Sequence, residues 1–461
     1  MADRWNLPVV TWLFICLALA YVPDIGRGFI SDDFAWILNS DLQSLRDLGR
    51  MFVETPMGFY RPLTSLSFAI NHELTGLAPM GYALVNLALV CGIGAAIAAL
   101  SRTLGFTRLE GWFAAAIWTF NLHGVGMALT WISGRTSLLA TLFAVLAGIA
   151  FGRRQRWLAG LWMLAALLSK EEPLLLPLVL AAWTVVDERA NGARWPASAA
   201  TAARLSWPAA AAVGVYLLLR FNTAALTPWN APSYYTFSLA PGVIVPNVLE
   251  YADRAMTFGA AVLVLAWVAF VRRRPNRSWV HEDEWRVALK GAIWLILGYG
   301  LTVMVPVRSD LYACLPAVGA ALMTTAIGRG VWRAIPAHRR RPAVVLLLAL
   351  PLLLVPVYWG RNVFARHDAE LSTHVLHRVF EVLRERDDLK RVEVYQHAGE
   401  RPSIGAAFGG GLPAAILLGT GRSLEATVHL TQPSDPWPAP QPATLRVTVA
   451  GDDILAVTPP Q

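Results

Sequence analysis

The stretch "PAVVLLLALPLLLVPVYW", residues 342–359, contains no charged residue. An α-helix needs about 20 mostly apolar residues to cross the hydrocarbon core of a bilayer, so this stretch has the length and composition of a membrane span. Similar runs stand elsewhere in the chain, among them "PVVTWLFICLALAYV" (residues 8–22) and "AVLVLAWVAFV" (residues 261–271). Their repetition predicts a polytopic membrane protein.

The composition of the whole chain agrees with this prediction. The 461 residues are 56% hydrophobic and 15% charged, with a mean hydropathy of +0.47. Soluble domains are usually about 45–50% apolar and about 25% charged. The apolar segments predict an all-α membrane part with about eleven transmembrane helices, at residues 8–23, 80–100, 111–128, 137–152, 157–169, 173–187, 205–220, 255–271, 288–306, 311–331 and 343–360.

The formal net charge is +8, and arginines cluster in short connections between the apolar runs. The clusters are Arg153, Arg154 and Arg156; Arg272, Arg273, Arg274 and Arg277; and Arg339, Arg340 and Arg341. The positive-inside rule places such connections in the cytoplasm, and we favour this interpretation over nucleic-acid binding. It puts residues 101–110, 152–156, 188–204, 272–287 and 332–342 inside, and residues 24–79, 129–136, 169–172, 221–240, 307–310 and those after 361 outside.

The first apolar run has two interpretations. Ala18-Leu19-Ala20 resembles a signal-peptidase site, but the run leads into further apolar segments, which favours a signal anchor. The cysteines Cys16, Cys91 and Cys314 all fall within apolar runs, so we expect neither a disulfide framework nor a zinc site.

The external connection 24–79 shows helical periodicity in two places. Apolar residues recur every three or four positions at Leu38, Leu42, Leu45, Leu48 and Phe52, and again at Phe59, Leu63, Leu66, Ile70 and Leu74. This spacing predicts two amphipathic helices. They could lie flat on the membrane surface or pack on the protein itself.

The same connection contains two adjacent carboxylates, Asp32 and Asp33, in "FISDDFAWIL" (residues 29–38). A carboxylate near a membrane is costly to desolvate, which favours a functional role. It can take a proton from an attacking hydroxyl or hold a divalent metal, and the sequence leaves the metal open. Ser31 or Asp32 could instead cap the following helix.

Further ionisable groups lie on the predicted external face, which should be poor in cations. They are Arg61 and His72 in "FYRPLTSLSFAINHEL", Arg135 in "LTWISGRTSLLATL", Lys170 and Glu171 in "LLSKEEPLLLPLVL", and Arg308 in "VPVRSDLYACLPAVG". Each could snorkel or form a structural ion pair. Together, external cations suit a phosphate at the membrane surface. Carboxylates and cations side by side suit transfer of a sugar from a lipid phosphate to a hydroxyl.

The tail changes character after about residue 361. "HVLHRVFEVLRERDDLKRVEVYQ" (residues 374–396) predicts an amphipathic helix followed by a strand. "LEATVHL" (424–430), "ATLRVTV" (443–449) and "DILAVTP" (453–459) predict short strands. We therefore expect a transmembrane domain at 1–360 and a small α+β extracytoplasmic domain at 361–461. The glycines at 409–411 lack the setting and the lysine of a phosphate-binding loop.

Several motifs, in order, resemble a known superfamily. They are "SDDFAWI" (31–37), "FYRPLTSLSFAIN" (59–71), "WISGRTSLLATLF" (131–143), "LLSKEEPLLLPLVL" (167–180) and, more loosely, "LYACLPAVG" (311–319). The chain resembles the GT-C superfamily of glycosyltransferases that use polyprenyl- or dolichyl-phosphate sugars. Within it, the chain is most similar to transmembrane O-mannosyltransferases with tetratricopeptide repeats and to their bacterial relatives without repeats.

This resemblance implies a fold, an activity and a site. It implies a GT-C-type enzyme with a polyprenyl-phosphate sugar donor and an extracytoplasmic acceptor, in the bacterial inner membrane among membrane lipids. The catalytic acid of the first external loop maps onto Asp32 or Asp33, and Arg61, Arg135 and Lys170 map onto residues that face the lipid phosphate. We add Glu171, Arg308, His72 and His123 as substrate-binding candidates.

The sequence departs from the resemblance in two places. In "NLHGVGMALTW" (residues 121–131), Met127 stands where relatives have a glutamate and only His123 is kept. Leu311 stands where an arginine would align, and Arg308 lies three residues earlier. The repeats are also absent from this sequence.

Two other classes of protein stay open at this stage. A transporter or flippase of a lipid-linked sugar would also need external cations, although no internal repeat supports it. A surface-polysaccharide polymerase or ligase would also use a lipid carrier. The sequence names neither the sugar, hexose or pentose, nor the acceptor, which could be protein, lipid or glycan.

Overall fold

The computed structural model describes residues 6–40, 42, 44–227, 229–271, 281–434, 437 and 441–458. The predicted arginine cluster at 272–277 therefore lies outside the described residues. In the first part of the chain the helices are α1 (Asn6–Tyr21), α2 (Asp32–Leu38), α3 (Leu45–Arg50), α4 (Pro62–Thr75), α5 (Pro79–Thr103), α6 (Arg108–Thr119), α7 (Gly124–Thr130), α8 (Arg135–Gly152) and α9 (Arg156–Ser169). They are followed by α10 (Leu176–Ala190), α11 (Trp195–Phe221), α12 (Pro241–Phe270), α13 (Glu282–Tyr299), α14 (Pro316–Ala334), α15 (Arg340–Leu353), α16 (Val355–Glu385), α17 (Ile404–Phe408) and α18 (Leu412–Thr420).

Within the described ranges, five helical segments are long and apolar enough to cross a membrane. They are Pro79–Thr103, Ile132–Gly152, Trp195–Phe221, Pro241–Phe270 and Ala337–Glu385. Two shorter apolar helices are Pro8–Tyr21 and Arg156–Ser169. The chain is thus a helical membrane protein, but the prediction of about eleven spans is not confirmed.

The predicted span at 111–128 is one that does not form as a continuous helix. Its helix stops at Thr119 and a new one starts at Gly124. Between them, Asn121 Oδ1 accepts hydrogen bonds from the backbone N–H groups of His123 and Gly124, both at 3.1 Å. A side chain that caps α7 in this way ends the continuous helix that the hydropathy favoured.

The first external connection forms a helix within each of the two predicted stretches. The first is shorter than residues 38–52, because α2 ends at Leu38 and the next helix, α3, covers only Leu45–Arg50. Asn39 Nδ2 and Ser40 Oγ donate to the carbonyls of Ala35 and Trp36 and so satisfy the last turn of α2. The second helix is α4.

Helix α4 forms where the second apolar pattern predicted a helix, but not all of its predicted apolar positions face the protein. Phe68 and Ala69 are fully buried, whereas Ile70 and Leu74 are 51% and 77% exposed. The exposed apolar residues leave an apolar outer face on α4.

The tail forms the predicted small sheet. Its strands are β1 (Arg391–His397), β2 (Glu425–Thr431), β3 (Thr444–Ala450) and β4 (Asp453–Thr458), in the order β2-β1-β3-β4. β1 is parallel to β2 and β3, and β4 is antiparallel to β3. α16 runs without a break through residue 361, so it joins the membrane part to the sheet.

One hydrophobic cluster connects this sheet to the first external connection. It contains Phe34 and Trp36 of α2 together with Phe408 of α17 and the strand residues Val394 and Leu445. Residues 29–37 and the tail therefore share one hydrophobic core, and the segment that carries Asp32 and Asp33 is packed against the tail.

Candidate functional site

Asp33 lies at the centre of the contacts between the motifs. It is fully buried, and its Oδ1 accepts hydrogen bonds from the backbone N (2.7 Å) and Oγ (2.5 Å) of Ser133. Its Oδ2 accepts one from the backbone N of Ile30 at 3.0 Å. Burial raises the pKa of Asp33 to about 7, although these bonds act to lower it. Asp33 therefore ties α2 to the turn before α8.

Asp32 differs from its neighbour. It is half-buried at the first position of α2 and, among the described residues, no other segment donates a hydrogen bond to its carboxylate. Burial raises the pKa of Asp32, whereas the charge of Arg61 and a hydrogen bond from the Ser31 hydroxyl lower it. Asp32 is thus the carboxylate of the pair with room for another partner.

Arg61 and Glu171 form a two-point ion pair. Arg61 Nη2 lies 2.7 Å from Glu171 Oε1, and Nε lies 3.1 Å from Oε2. The guanidinium also stands 4.2 Å above the centre of the Phe59 ring. Burial disfavours the charge of Glu171, but Arg61 outweighs it and, with Arg220 and Lys170, lowers the pKa of Glu171 to about 2. The pair is ionised at neutral pH.

Lys170 and Glu172 form a second and deeper pair. They are in direct contact, and only 5% and 3% of their side chains are exposed. Lys170 Nζ also donates to Ser137 Oγ at 2.7 Å and lies 5.1 Å from the centre of the Tyr312 ring. Burial raises the pKa of Glu172, and the adjacent Lys170 opposes this shift.

Arg135 is fully buried at the start of α8. Its five N–H groups donate to neutral oxygens: Asn86 Oδ1 (2.9 Å), Asn71 Oδ1 (2.7 Å), Tyr82 O (2.9 Å), and Ser67 O (3.2 Å) and Oγ (3.5 Å). These partners belong to α4 and α5, so Arg135 joins three helices. No pattern in the sequence indicated that Arg135 would bond to neutral oxygens of two other helices.

A third group of charges surrounds Asp310. Its carboxylate contacts Arg254 Nε (2.9 Å), Arg361 Nη2 (3.1 Å) and His123 Nδ1 (3.3 Å). Glu250 bridges Arg254 to Arg308, whose Nε also donates to Asn247 Oδ1 at 2.7 Å. Burial acts to raise the pKa of Asp310, but the hydrogen bond and charge of His123 and the charges of Arg254 and Arg361 hold it below its ordinary range.

His72 and His123 thus lie apart from the acidic pair. His72 Nδ1 is 3.3 Å from Tyr82 Oη, at the end of α4. His123 belongs to the Asp310 group. The sequence analysis missed Glu250, Arg254 and Arg361 as members of this group, because none of them lies in one of the quoted motifs.

Tyr235 is a further residue that the sequence analysis missed. Its ring packs edge-on against Phe59, with ring centres 5.7 Å apart, and Phe59 in turn carries Arg61. The segment around it is tied to the site by a hydrogen bond from Leu226 N to Gly58 O at 2.8 Å. Burial raises the pKa of Tyr235, Arg61 lowers it, and Asp32 and Glu171 raise it. The Tyr235 hydroxyl therefore interacts electrostatically with Arg61, Asp32 and Glu171, although Tyr235 lies outside the quoted motifs.

Four of the motifs meet here. Asp33 joins the first motif to the third, Arg61 joins the second to the fourth, and Thr64 Oγ1 donates to Ser169 O at 2.9 Å. Among the residues placed by the structure, no three His, Cys, Asp or Glu side chains come together in a group that could hold a metal ion.

Comparisons with known proteins find several protein O-mannosyl-transferases that are similar to part of this chain. Protein O-mannosyl-transferase Tmtc1 of Drosophila melanogaster is 33% identical over 178 residues, which cover 34% of this chain and 20% of that protein. Tmtc2 of the same organism is 33% identical over 162 residues, or 32% of this chain and 17% of its own length. TMTC3 of Mus musculus is 31% identical over 163 residues, with 33% and 17% covered. No family model matches the chain.

These relatives confirm the predicted resemblance to GT-C-type transmembrane O-mannosyltransferases. The relatives are O-mannosyl-transferases by name, and each is similar to about a third of this chain. The chain matches about a fifth of the length of the curated relatives.

Proposed function

We propose that this protein transfers a sugar from a polyprenyl-phosphate donor to an extracytoplasmic acceptor hydroxyl. The observation that carries the proposal is the pairing of two unlike carboxylates beside the Arg61–Glu171 pair: Asp33 is bonded to a distant segment, whereas among the described residues Asp32 accepts a hydrogen bond only from the adjacent Ser31 hydroxyl. The names of the relatives support sugar transfer, and mannose is the first sugar to test.

Asp32 is the proposed general base. It would accept the proton of the acceptor hydroxyl while the hydroxyl oxygen attacks the anomeric carbon from the face opposite the phosphate. The bond between that carbon and the phosphate oxygen breaks with both electrons going to the phosphate, and a single displacement inverts the anomeric centre. A carboxylate whose pKa is raised by burial is a stronger base at neutral pH, and general bases contribute about 10²–10⁴-fold to rates.

The leaving phosphate gains one negative charge in this step. Arg61 is the proposed first partner, because the ion pair uses Nε and Nη2 and leaves Nη1 outside the pair. Lys170 adds positive charge nearby, and Arg308 is proposed to contact the donor at the more exposed end of the Asp310 group. Oriented charges of this kind stabilise charge that develops in the transition state.

The remaining predicted residues receive supporting roles. We assign Asp33, Arg135 and Glu171 to positioning, since their polar groups are used within the protein. His123 is proposed to orient Asp310, and His72 to hold the end of α4.

Reconstitution tests the proposal directly. Purified protein in liposomes receives a radiolabelled polyprenyl-phosphate mannose and acceptors of each class: serine/threonine peptides, glycolipids and glycans. We expect label transfer that falls about 100-fold or more in Asp32→Asn. Glu73→Gln changes an exposed carboxylate of the same connection and should keep normal transfer. Near-normal transfer by Asp32→Asn would remove this loop as the active site, and donor movement without transfer would favour a flippase.

A further inference from the structure

The glycines at 409–411 lie against the residue that precedes Asp32. A Cβ atom added to Gly411 would overlap the carbonyl oxygen of Ser31 and lie 3.2 Å from its carbonyl carbon. A Cβ added to Gly409 would lie 3.0 Å from Ser31 Oγ, whereas one added to Gly410 would meet nothing within 4 Å. Gly411 is therefore a place where one backbone approaches another.

Ser31 has an unusual backbone conformation. Its φ is 49° and its ψ is −118°, a region that favours glycine because a side chain there is strained. The surroundings must hold such a residue in place. Ser31 N donates to the carbonyl oxygen of Ala407 at 2.9 Å, and Gly411 packs on the carbonyl side. The tail thus contacts Ser31 on both of its peptide groups.

Other contacts extend this attachment along the same segment. The ring of Phe34 stacks on that of Phe408, with centres 6.3 Å apart and planes 23° apart. A Cβ on Gly28 would overlap the carbonyl oxygen of Ala369 in α16. Phe408 is itself fully buried in the cluster that contains the strands. Residues 28–34 are therefore fixed by α16, α17 and the turn before α18.

We propose that the C-terminal domain positions the catalytic loop, with Gly411 as a positioning residue that sets Ser31 and thereby the direction of the Asp32 carboxylate. This inference rests on the proposed function, because Asp32 is the base only there. It gives the tail a role in the reaction without a catalytic residue of its own.

Adjacent glycines offer a matched test. Gly411→Ala places a methyl group against Ser31, whereas Gly410→Ala places one in open space. In the liposome assay with polyprenyl-phosphate mannose we expect kcat to fall about tenfold or more in Gly411→Ala with little change in KM, because orientation and not donor binding is lost. Gly410→Ala should match the wild type. Wild-type kcat in Gly411→Ala would overturn the proposal.

The pH profile separates positioning from general instability. Asp32 is faced by Arg61, by its neighbour Asp33 and by Tyr235. Moving Asp32 away from Arg61 removes an interaction that lowers its pKa, so the acid limb of kcat should move to higher pH in Gly411→Ala. A loss of kcat with an unchanged acid limb would mean that the glycine matters only for folding.

A labelling experiment completes the test, because it reports the position of residue 32 without depending on enzymatic activity. In protein whose native cysteines Cys16, Cys91 and Cys314 are replaced by alanine, Asp32→Cys is alkylated with an impermeant maleimide. We expect Gly411→Ala, and not Gly410→Ala, to change the alkylation rate about threefold or more. If it changes while wild-type protein shows no sugar transfer, the proposed function fails and the positioning stands. If Asp32→Asn abolishes transfer but Gly411→Ala changes neither rate, the positioning fails and the function stands.

A second variant covers poor folding of Gly411→Ala. Phe408→Leu replaces the ring that stacks on Phe34 with a smaller aliphatic side chain and adds no atom near Ser31. The same fall in kcat and the same shift of the acid limb are expected. Their absence in folded Phe408→Leu protein would contradict the proposal.

Discussion

Arg61 and Glu171, which are 110 positions apart in the chain, meet in a two-point ion pair with N···O distances of 2.7 and 3.1 Å. The pair connects the start of α4 to the break between α9 and α10. It also realises, for Arg61, the structural ion pair that the sequence analysis left open for each external cation. The electrostatic potential at the site therefore depends on the partner of each cation. The effect expected from replacing a cation depends on that partner too.

Arg61→Lys tests the geometry of this pair at constant charge. A planar guanidinium can bond two oxygens at once, whereas an ammonium acts as a point charge. We expect kcat/KM for the donor to fall about 10-fold or more, equivalent to about 1.4 kcal/mol. Arg50→Lys, at an exposed arginine of the same connection, is the control. Equal kinetics for the two variants would mean that Arg61 serves the Glu171 ion pair alone and does not contact the donor.

Arg135→Lys should act on stability. Lysine has three N–H donors where arginine has five, so two or more buried oxygens lose their partner, and each loss costs about 1–3 kcal/mol. We expect a clearly lower unfolding temperature in detergent, measured by tryptophan fluorescence. Exposed Arg153→Lys serves as the reference. An unchanged unfolding temperature together with a raised KM for the donor would return Arg135 to phosphate binding.

Asp33 should make stability depend on pH. Its pKa is about 7 in the folded protein and 3.8 when exposed, so the folded state keeps a proton that the unfolded chain has lost. The stability that this group contributes is complete below the unfolded pKa and is lost as the pH rises through about 7. Wild-type protein should unfold at a lower temperature at about pH 8 than at about pH 5.5.

The matching variants isolate that contribution. Asp33→Asn has no group to titrate and should show a smaller difference between the two pH values. Asp452→Asn, at an exposed position of the tail, should keep the wild-type difference. Parallel curves for Asp33→Asn and wild type would show that another group is responsible.

Tyr235 can be tested against its neighbour. The rings of Tyr234 and Tyr235 are 4.8 Å apart, but Tyr234 is 52% exposed while Tyr235 packs on Phe59. We expect Tyr235→Phe to raise KM for the donor or acceptor about threefold or more, the effect of a single hydrogen bond. Tyr234→Phe should leave both constants unchanged. Identical constants in both variants would place the Tyr235 hydroxyl outside the substrate contacts.

The orientation of the chain in the membrane can be tested by cysteine labelling. Ser423→Cys lies at an exposed position of the tail, and Asn191→Cys at an exposed position of a connection predicted to be cytoplasmic. In intact cells an impermeant thiol reagent should label the first and not the second, as the arginine distribution predicts. Labelling of Ser423→Cys only after lysis would reverse the assigned orientation.

Local patterns predicted the elements of this fold well. The apolar segments became helices close to the expected positions, and the alternating segments of the tail became strands. The shorter extent of the helix within residues 38–52 has a local cause: Asn39 and Ser40 bond back to α2, and periodicity does not register such bonds. The predicted span at 111–128 is divided for a related reason, since Asn121 Oδ1 accepts backbone hydrogen bonds within an apolar run.

The site was harder to predict because its contacts are distant in sequence. The motifs indicated that Asp32, Asp33, Arg61 and Lys170 matter, but not which carboxylate is free. That difference comes from Ser133 N and Oγ, 100 positions away from Asp33. Glu250 and Arg254, which belong to the Asp310 group, lie outside every motif, so only the tertiary structure shows that they contribute to it.

The hydrogen bond between Ser31 and Ala407 has a consequence for how the protein is made. A ribosome delivers residue 31 to the translocation machinery long before it synthesises residue 407, and chains fold from the N-terminus during synthesis. The loop with Asp32 must therefore wait without its partner until almost the whole polypeptide has been produced. A chain cut short before α17 would lack the support of its acidic loop, so under the proposed function a premature stop would yield an inert product and not a partly active one.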